Sequence, residues 1–217
     1  MTTTSSLYGA AQSRFARYLE RREERSPDPV ARELRRRLLA GLRGRVLEIG
    51  CGDGRAFGLY PPTVTGILAV EPDPTARAAA TTRAAEAKIP VDVIDGVASA
   101  LPAEDGGFDA VVLIWVLCSV PDPLAALREI RRVLAPGGEL RFYEHVRSRH
   151  VAFRGLQRAV DALIWTRALG GCETTRDTET TIRAAGFEIA SLDRGFHSSS
   201  LLTITSAPYV LGIARTE

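Results

Sequence analysis

The sequence predicts an α/β fold built on a mostly parallel sheet, and three observations carry that prediction. Short apolar runs recur at residues 46–49, 67–70, 91–94, 110–114 and 140–143. Helical stretches such as 75–88 and 124–134 lie between them. A glycine-rich turn, Gly50-Cys51-Gly52-Asp53-Gly54, follows the first run directly. Uniformly apolar runs separated by helices are the mark of crossover units around a sheet buried on both faces. The 217 residues suit one domain large enough for a sizeable core.

Ahead of the first run, residues 5–25 and 28–42 read as two helices parted by Ser26-Pro27-Asp28-Pro29. Asp28 is placed to N-cap the second helix, Pro29 suits its first position, and Gly41 and Gly44 end it. After the fifth run the pattern changes. Residues 152–169 and 178–185 read as helices, and 187–192 and 209–214 as strands. Leu211-Gly212-Ile213 suits an antiparallel strand inserted into the sheet. The expected organisation is a single domain: N-terminal helices over 1–43, a core over 44–146, a helical cover over 147–186 and terminal strands over 187–217.

Composition narrows the function classes. A net charge of +2 lacks the basic bias of a nucleic-acid binder. The arginines between Arg14 and Arg45 alternate with acids, as on a solvated helical face. Three cysteines, Cys51, Cys118 and Cys172, give neither a disulfide framework nor zinc-ligand spacing, so no metal is expected and a reducing cytoplasm is. The start of the sequence lacks the basic and apolar regions of a signal peptide. The longest apolar run, 110–120, falls short of the roughly 20 residues of a membrane helix. A soluble cytoplasmic protein without membrane insertion is expected.

The glycine turn narrows the ligand. A dinucleotide fingerprint G-x-G-x-x-G needs glycine where Arg55 stands, and no Gly-Lys-Ser/Thr of a P-loop follows. Bare backbone lets a ligand press close. The acids Glu48 and Asp53 beside it suit a ligand with positive charge better than a phosphate. S-adenosylmethionine has that charge, with its sulfonium and ammonium. Glu71 ends the next apolar run, where an acid is placed to take both ribose hydroxyls of an adenosine. A lone glycine loop or a strand-end acid proves little, since either is common as a turn or cap. Their order and register within one crossover unit make the cofactor site the better reading.

The stretches VLEIGCGDG, VEPDP, ALPAEDGGFDAVV and LREIRRVLAPGGELRFYEHV resemble the successive motifs of class I S-adenosylmethionine-dependent methyltransferases over about residues 40 to 146. LCSVPDP, EHV, Tyr60-Pro61-Pro62 and the segment from Trp165 to Thr178 resemble more narrowly the thiol S-methyltransferases of the methyltransferase-like family and their bacterial relatives. The animal members are microsomal; this sequence lacks their hydrophobic N-terminal anchor, so membrane attachment is not carried over. The resemblance implies a Rossmann-like seven-stranded sheet with its last strand antiparallel. It implies that Gly50 and Gly52 pack on the cofactor and that Glu48 and Asp53 lie near its amino-acid end. Glu71 and Pro72 would lie at the ribose, Val97 and Ala98 against adenine, and Ile114 beside the cofactor. Many relatives carry an acid where Val97 stands, leaving only backbone at this position for the adenine amino group. S-adenosylhomocysteine would be the product.

Ligands of open α/β sheets bind beyond the carboxyl ends of the strands. Trp115 and Cys118 follow one such end and are candidates to line an acceptor pocket, or else a core aromatic and an inert buried thiol. His145 follows another and is a candidate general base, or an orienting donor to backbone or Glu144. Trp165 suits a lid or the core, and Arg176 an anionic acceptor or a surface ion pair. In Thr175-Arg176-Asp177-Thr178, Thr175 or Asp177 is placed to cap the following helix. The expected activity is methylation of a small molecule, by preference a thiol. O-, N- or C-methylation of a quinone or natural product is the alternative within the class, and a noncatalytic adenosyl-binding module the alternative outside it. A nicotinamide enzyme is disfavoured by Arg55 and by the absence of a Tyr-x3-Lys pair.

Overall fold

The computed structural model describes residues 28–162, 172–198 and 201–216. The expected first helix, 5–25, and Trp165 lie outside them. Among these residues five α-helices, α1 (Pro29–Leu39), α2 (Pro74–Ala84), α3 (Pro123–Val133), α4 (Val151–Val160) and α5 (Thr178–Ala184), accompany the strands. These are β1 (Gly44–Ile49), β2 (Val64–Val70), β3 (Val91–Ile94), β4 (Phe108–Ile114), β5 (Leu134–His145), β6 (Phe187–Phe196) and β7 (Pro208–Thr216). They form one seven-stranded sheet in the order β3-β2-β1-β4-β5-β7-β6. The first five pair in parallel, and β7 inserts antiparallel between β5 and β6.

Strand alternation builds two cores from one sheet. On β1 and β4, Leu47, Ile49, Val111 and Leu113 pack with Leu127 and Ile130 of α3 and Ile182 of α5. Val46, Ala110 and Val112 face the other way, toward Leu34, Leu38 and Leu39 of α1 and Ala80 of α2. Three helices begin alike. Asp28 and Asp73 each cap two backbone N–H groups with a carboxylate oxygen and Asp122 caps one, and each is followed by proline in the first turn. Asp177 caps α5, receiving the amide and hydroxyl of Thr180.

Between β1 and β2 the chain makes only a 3-10 turn, Phe57–Leu59, before Tyr60-Pro61-Pro62. The glycine turn is therefore not the strand-to-helix turn that the alternating pattern suggests. Proline at 61 and 62 disfavours a helix there, because the residue before each proline is pushed toward extended backbone.

At the end of α1, Arg141 of β5 is almost fully buried and donates to the carbonyls of Leu38 and Ala40 at 2.8 and 2.7 Å. Its other nitrogens bind Glu139 at 2.8 and 2.6 Å. One guanidinium thus satisfies the orphan carbonyls of a helix end and joins that helix to the sheet. Arg141→Met fills the space but strands both carbonyls, and is expected to lower the unfolding free energy by about 2–4 kcal/mol. Urea denaturation at unchanged m-value checks this; a loss under about 0.5 kcal/mol, the level of an ordinary surface change, contradicts it.

Candidate active site

β1 has β2 on one side and β4 on the other, and the connections leave in opposite directions at this point. Such a switch point opens a crevice beyond the carboxyl ends of the strands. The glycine turn occupies it. Gly50, Gly52 and Gly54 have φ of 65°, 57° and 80°, in the left-handed region that side chains resist. Their surroundings differ. A Cβ on Gly50 would meet Val116 Cγ2 at 2.8 Å, and one on Gly54 would meet Phe57 Cε2 at 2.5 Å. Beside Gly52 there is nothing within 4 Å. Gly50 and Gly54 are bare because the protein packs there; Gly52 is bare toward open space.

Acids fix this turn. Glu71, buried at the end of β2, accepts the N–H of Gly52 and the N–H of Asp73, both at 2.9 Å. Two of its carboxylate lone pairs are thereby used, and others remain. Burial pushes its pKa up, against the pull of those two amides. Arg77 steadies the same strand end, donating to the carbonyl of Glu71 at 2.7 Å and that of Pro72 at 3.2 Å. Glu48 is 3% exposed and accepts the Tyr60 hydroxyl at 2.8 Å. Burial lifts its pKa to about 7, although Tyr60 and the charge of Arg35 oppose this. Asp53 is paired within the protein. Its carboxylate pairs with Arg55 at 2.7 Å and Arg83 at 2.5 Å, so it braces the turn and two arginines take up its charge.

Along the neighbouring edge, no side chain fits at Gly96, where a Cβ would lie 2.8 Å from Pro102 and 2.9 Å from Val70. Val97 is exposed and Ala98 is buried. Ile114, at the end of β4, is half-buried.

The far side is built from the ends of β4 and β5. Trp115 holds the left-handed φ of 59°, and its ring stacks on His145 with centroids 5.1 Å apart and planes at 14°. The Arg35 guanidinium also lies over the tryptophan ring, 5.1 Å from its centroid. Beneath, fully buried Glu144 accepts three consecutive amides: Val116 at 2.9, Leu117 at 3.0 and Cys118 at 3.1 Å. In the sequence Glu144 stands out only as a partner for His145. It is instead the anchor of the loop after β4, a role no periodicity announces.

His145 turns to sulfur. Its Nδ1 lies 3.7 Å from Cys118 Sγ and 3.6 Å from Cys172 Sγ. Cys118 is wholly buried and Cys172 nearly so. The closeness of Cys172 and burial push the Cys118 thiol well above its ordinary value. Cys172 is brought in by the turn before α5, where Glu173 N donates to Cys118 O at 2.7 Å. Arg176 serves this docking. Its Nη1 donates to the carbonyls of Leu117 and Val120, both at 2.6 Å, and its Nε to Glu173 at 3.0 Å. That guanidinium is shared between two backbone carbonyls and an ion pair with Glu173, the alternative to an anionic acceptor. Asp161, just past the end of α4, receives Thr174 and Thr175 at 2.9 to 3.1 Å, and buried Gln157 of α4 reaches the Val146, Thr174 and Thr205 carbonyls. The cover is thus fastened by polar groups. No helix among the described residues is long and apolar enough to cross a membrane.

Comparisons with known proteins agree with this architecture. The sequence matches the Methyltransferase domain family over residues 47–142. The thiol S-methyltransferase TMT1B of Homo sapiens is 33% identical over 181 residues, covering 81% of this chain and 73% of that protein. The ubiquinone biosynthesis O-methyltransferase of Xanthomonas oryzae pv. oryzae is 34% identical over 103 residues, 47% of this chain and 42% of that one. The structure of a SAM-dependent methyltransferase from Thermotoga maritima superposes with a TM-score of 0.72 at 25% identity, covering 96% of this chain and 99% of that one. With this fold, and with a relative that similar over most of both lengths, the chain belongs to the class I S-adenosylmethionine-dependent methyltransferases, among which the thiol S-methyltransferases are its relatives.

Proposed function

We propose that the protein transfers the methyl group of S-adenosylmethionine to the sulfur of a small thiol. The observation that carries the choice of acceptor is the state of the ionisable groups around the methyl-accepting side. Glu144 is consumed by three amides and Arg176 by two carbonyls. In this reading the acceptor meets a cluster of one imidazole, two buried cysteines and a tryptophan that also packs on Tyr143 and Arg35. A thiol ionises near pH 8.5, so modest assistance suffices, whereas an alcohol demands a strong base. The thiol S-methyltransferase names of the human and rodent relatives support the same reading.

The cofactor fits the crevice by two features. Gly52 leaves its side of the turn open, and buried carboxylates stand at Glu48 and Glu71. In this assignment Gly52 and Gly50 lie beneath the cofactor, Glu71 with Pro72 takes the ribose, Val97 and Ala98 flank adenine, Ile114 borders the methyl, and Glu48 meets the ammonium. Asp53 acts indirectly by holding the turn through Arg55 and Arg83. Bound S-adenosylmethionine supplies an electrophilic methyl on a sulfonium. The protein's task is to hold the acceptor sulfur in line with it in a water-poor site. Trp115 walls that site and His145 promotes ionisation of the acceptor. Trp165 is assigned to the same cover, and Cys118 and Cys172 to its sulfur-facing wall.

Glu48 gives a pH signature. Its folded pKa of about 7 exceeds the ordinary 4.5, so its contribution to the ligand-free fold is full below about pH 4.5 and is lost as pH rises through about 7. A cation bound beside it reverses the preference and draws the proton off. S-adenosylhomocysteine, which keeps the ammonium, should therefore bind more tightly as pH rises from about 5.5 to about 7, by up to about tenfold per unit, and level off above. Glu48→Gln should bind with no such slope. Calorimetry across that range decides it, and a slope retained in the variant removes Glu48 from the ammonium.

For the acceptor, wild-type protein given S-adenosylmethionine and a panel of thiols, phenols and amines should yield thioethers. His145→Ala should slow thiol methylation by about 10²- to 10⁴-fold at pH 7, with a deficit that shrinks toward pH 9 as water supplies the thiolate unaided. Methylation of a phenol or amine with no thiol turned over would overturn the acceptor assignment and leave the cofactor assignment standing.

A further inference from the structure

The cluster of Cys118, His145 and Cys172 is more than a polar lining. All three ligand atoms lie within 4.8 Å of one another, although the residues come from three separate segments: the loop after β4, the end of β5 and the turn before α5. We propose that these residues form a zinc site with an open fourth position. A tetrahedral ion with Zn–S of about 2.3 Å and Zn–N of about 2.0–2.1 Å sets imidazole nitrogen and thiolate roughly 3.5 Å apart. The two distances found from Nδ1 are 3.7 and 3.6 Å.

The chemistry of the donor set points the same way. Two thiolates and one imidazole are soft-to-borderline ligands that favour zinc over magnesium or calcium. Three protein ligands with one position open is the pattern of a catalytic rather than a closed structural site. Among the described residues no fourth Cys, His, Asp or Glu joins the cluster. Residues 163–171, which adjoin Cys172, contain none of these four types in their sequence.

The surroundings hold the ligands in place before an ion arrives. Glu144 fixes the Cys118 amide, Glu173 N ties the Cys172 turn to the Cys118 carbonyl, and the Trp115 ring sets the plane of His145. Without an ion, two thiols and an imidazole crowd together in a buried place. A dication resolves this: both thiols release their protons to solvent, and the Zn²⁺ with two thiolates and a neutral imidazole is uncharged overall.

The role of the open position rests on the thiol acceptor proposed for this protein. With zinc bound, an acceptor thiol would take the open position in place of solvent, give its proton to that departing water and so to bulk solvent, and be held as a thiolate. The new S–CH3 bond forms from its lone pair while the sulfonium S–CH3 bond breaks, and that electron pair remains on the sulfur of S-adenosylhomocysteine. The thioether product is neutral and a weaker ligand than a thiolate, so it leaves. His145 then acts through the ion, as a ligand, and the ion lowers the acceptor's pKa.

The test uses untagged wild-type protein, stripped by chelator and titrated with Co²⁺ as a spectroscopic substitute for zinc, alongside elemental analysis after Zn²⁺ loading. One equivalent should bind, with a thiolate-to-cobalt charge-transfer band and the visible bands of a tetrahedral ion. Cys118→Ser and Cys172→Ser should each weaken binding by at least tenfold while retaining S-adenosylhomocysteine binding, which reports that the fold persists. Adding a small thiol in the absence of any methyl donor should shift the visible bands. No stoichiometric binding by wild-type protein with both cysteines reduced overturns the site. Binding without a shift on adding any thiol overturns the acceptor role alone, and methyl transfer to thiols by metal-free protein at the wild-type rate does the same. Failure of the thiol reading itself would appear separately, as an intact metal spectrum in a protein that methylates only other acceptors.

Discussion

The buried carboxylate of Glu144 and the three amides it accepts are the constraint on which the acceptor side depends. The loop after β4 leaves the sheet through Trp115 in a left-handed conformation, so its next three N–H groups point inward with no strand to receive them. Left unpaired, each buried amide would cost about 1–3 kcal/mol. A single carboxylate from the neighbouring strand answers all three. Burial raises the pKa of Glu144, and the amides supply the compensation that makes such a placement tenable. With the loop fixed, Trp115 meets His145, Val116 fills the space that Gly50 leaves empty, and Cys118 is set against His145. One interaction therefore couples the packing of the glycine turn to the geometry of the acceptor side.

The cofactor side follows a different logic. There the sequence places three positive-φ glycines in a row of five, and at Gly52 the backbone is left bare toward open space. Its acids divide the work. Asp53 is neutralised by two arginines and fixes the turn from outside, while Glu71 fixes it from the end of β2. Glu48 keeps a buried carboxyl poised near neutrality, balanced between Tyr60 and burial. A group in that state responds to a bound cation, which a fully paired carboxylate would not.

Periodicity and local chemistry made much of the fold legible. The Asp-Pro start at Asp28 announces a helix, because cap and first-turn preferences act over a few residues, and the structure repeats the device at Asp73 and Asp122. The buried strands show as apolar runs, and the antiparallel β7 as a late run interrupted by Gly212, where a Cβ would strike Phe142. What stayed hidden depends on contacts between distant segments. Arg176 reads as an exposed cation in a polar turn, yet besides nearby Glu173 it binds two carbonyls more than fifty residues away in sequence. Cys118 and Cys172 show no ligand spacing because the turn before α5 folds back over the loop after β4. Glu144 sits beside the more conspicuous His145, and no sequence signal separates a carboxylate that receives a histidine from one that receives a loop.

The most direct measurement of the hold that Glu144 has on this loop is amide hydrogen exchange at Val116, Leu117 and Cys118, in wild-type protein and in Glu144→Gln. The glutamine keeps the shape but turns one acceptor into a donor aimed at a donor. If Glu144 organises the loop, these three amides are protected in wild-type protein and exchange about 10- to 100-fold faster in the variant, as a local loss of about 1.4–2.7 kcal/mol requires. Amides of the glycine turn held by Glu71, such as Gly52, should change far less. Unchanged protection at 116–118 in a folded variant would mean the loop is held by other contacts, and would contradict a central role for Glu144.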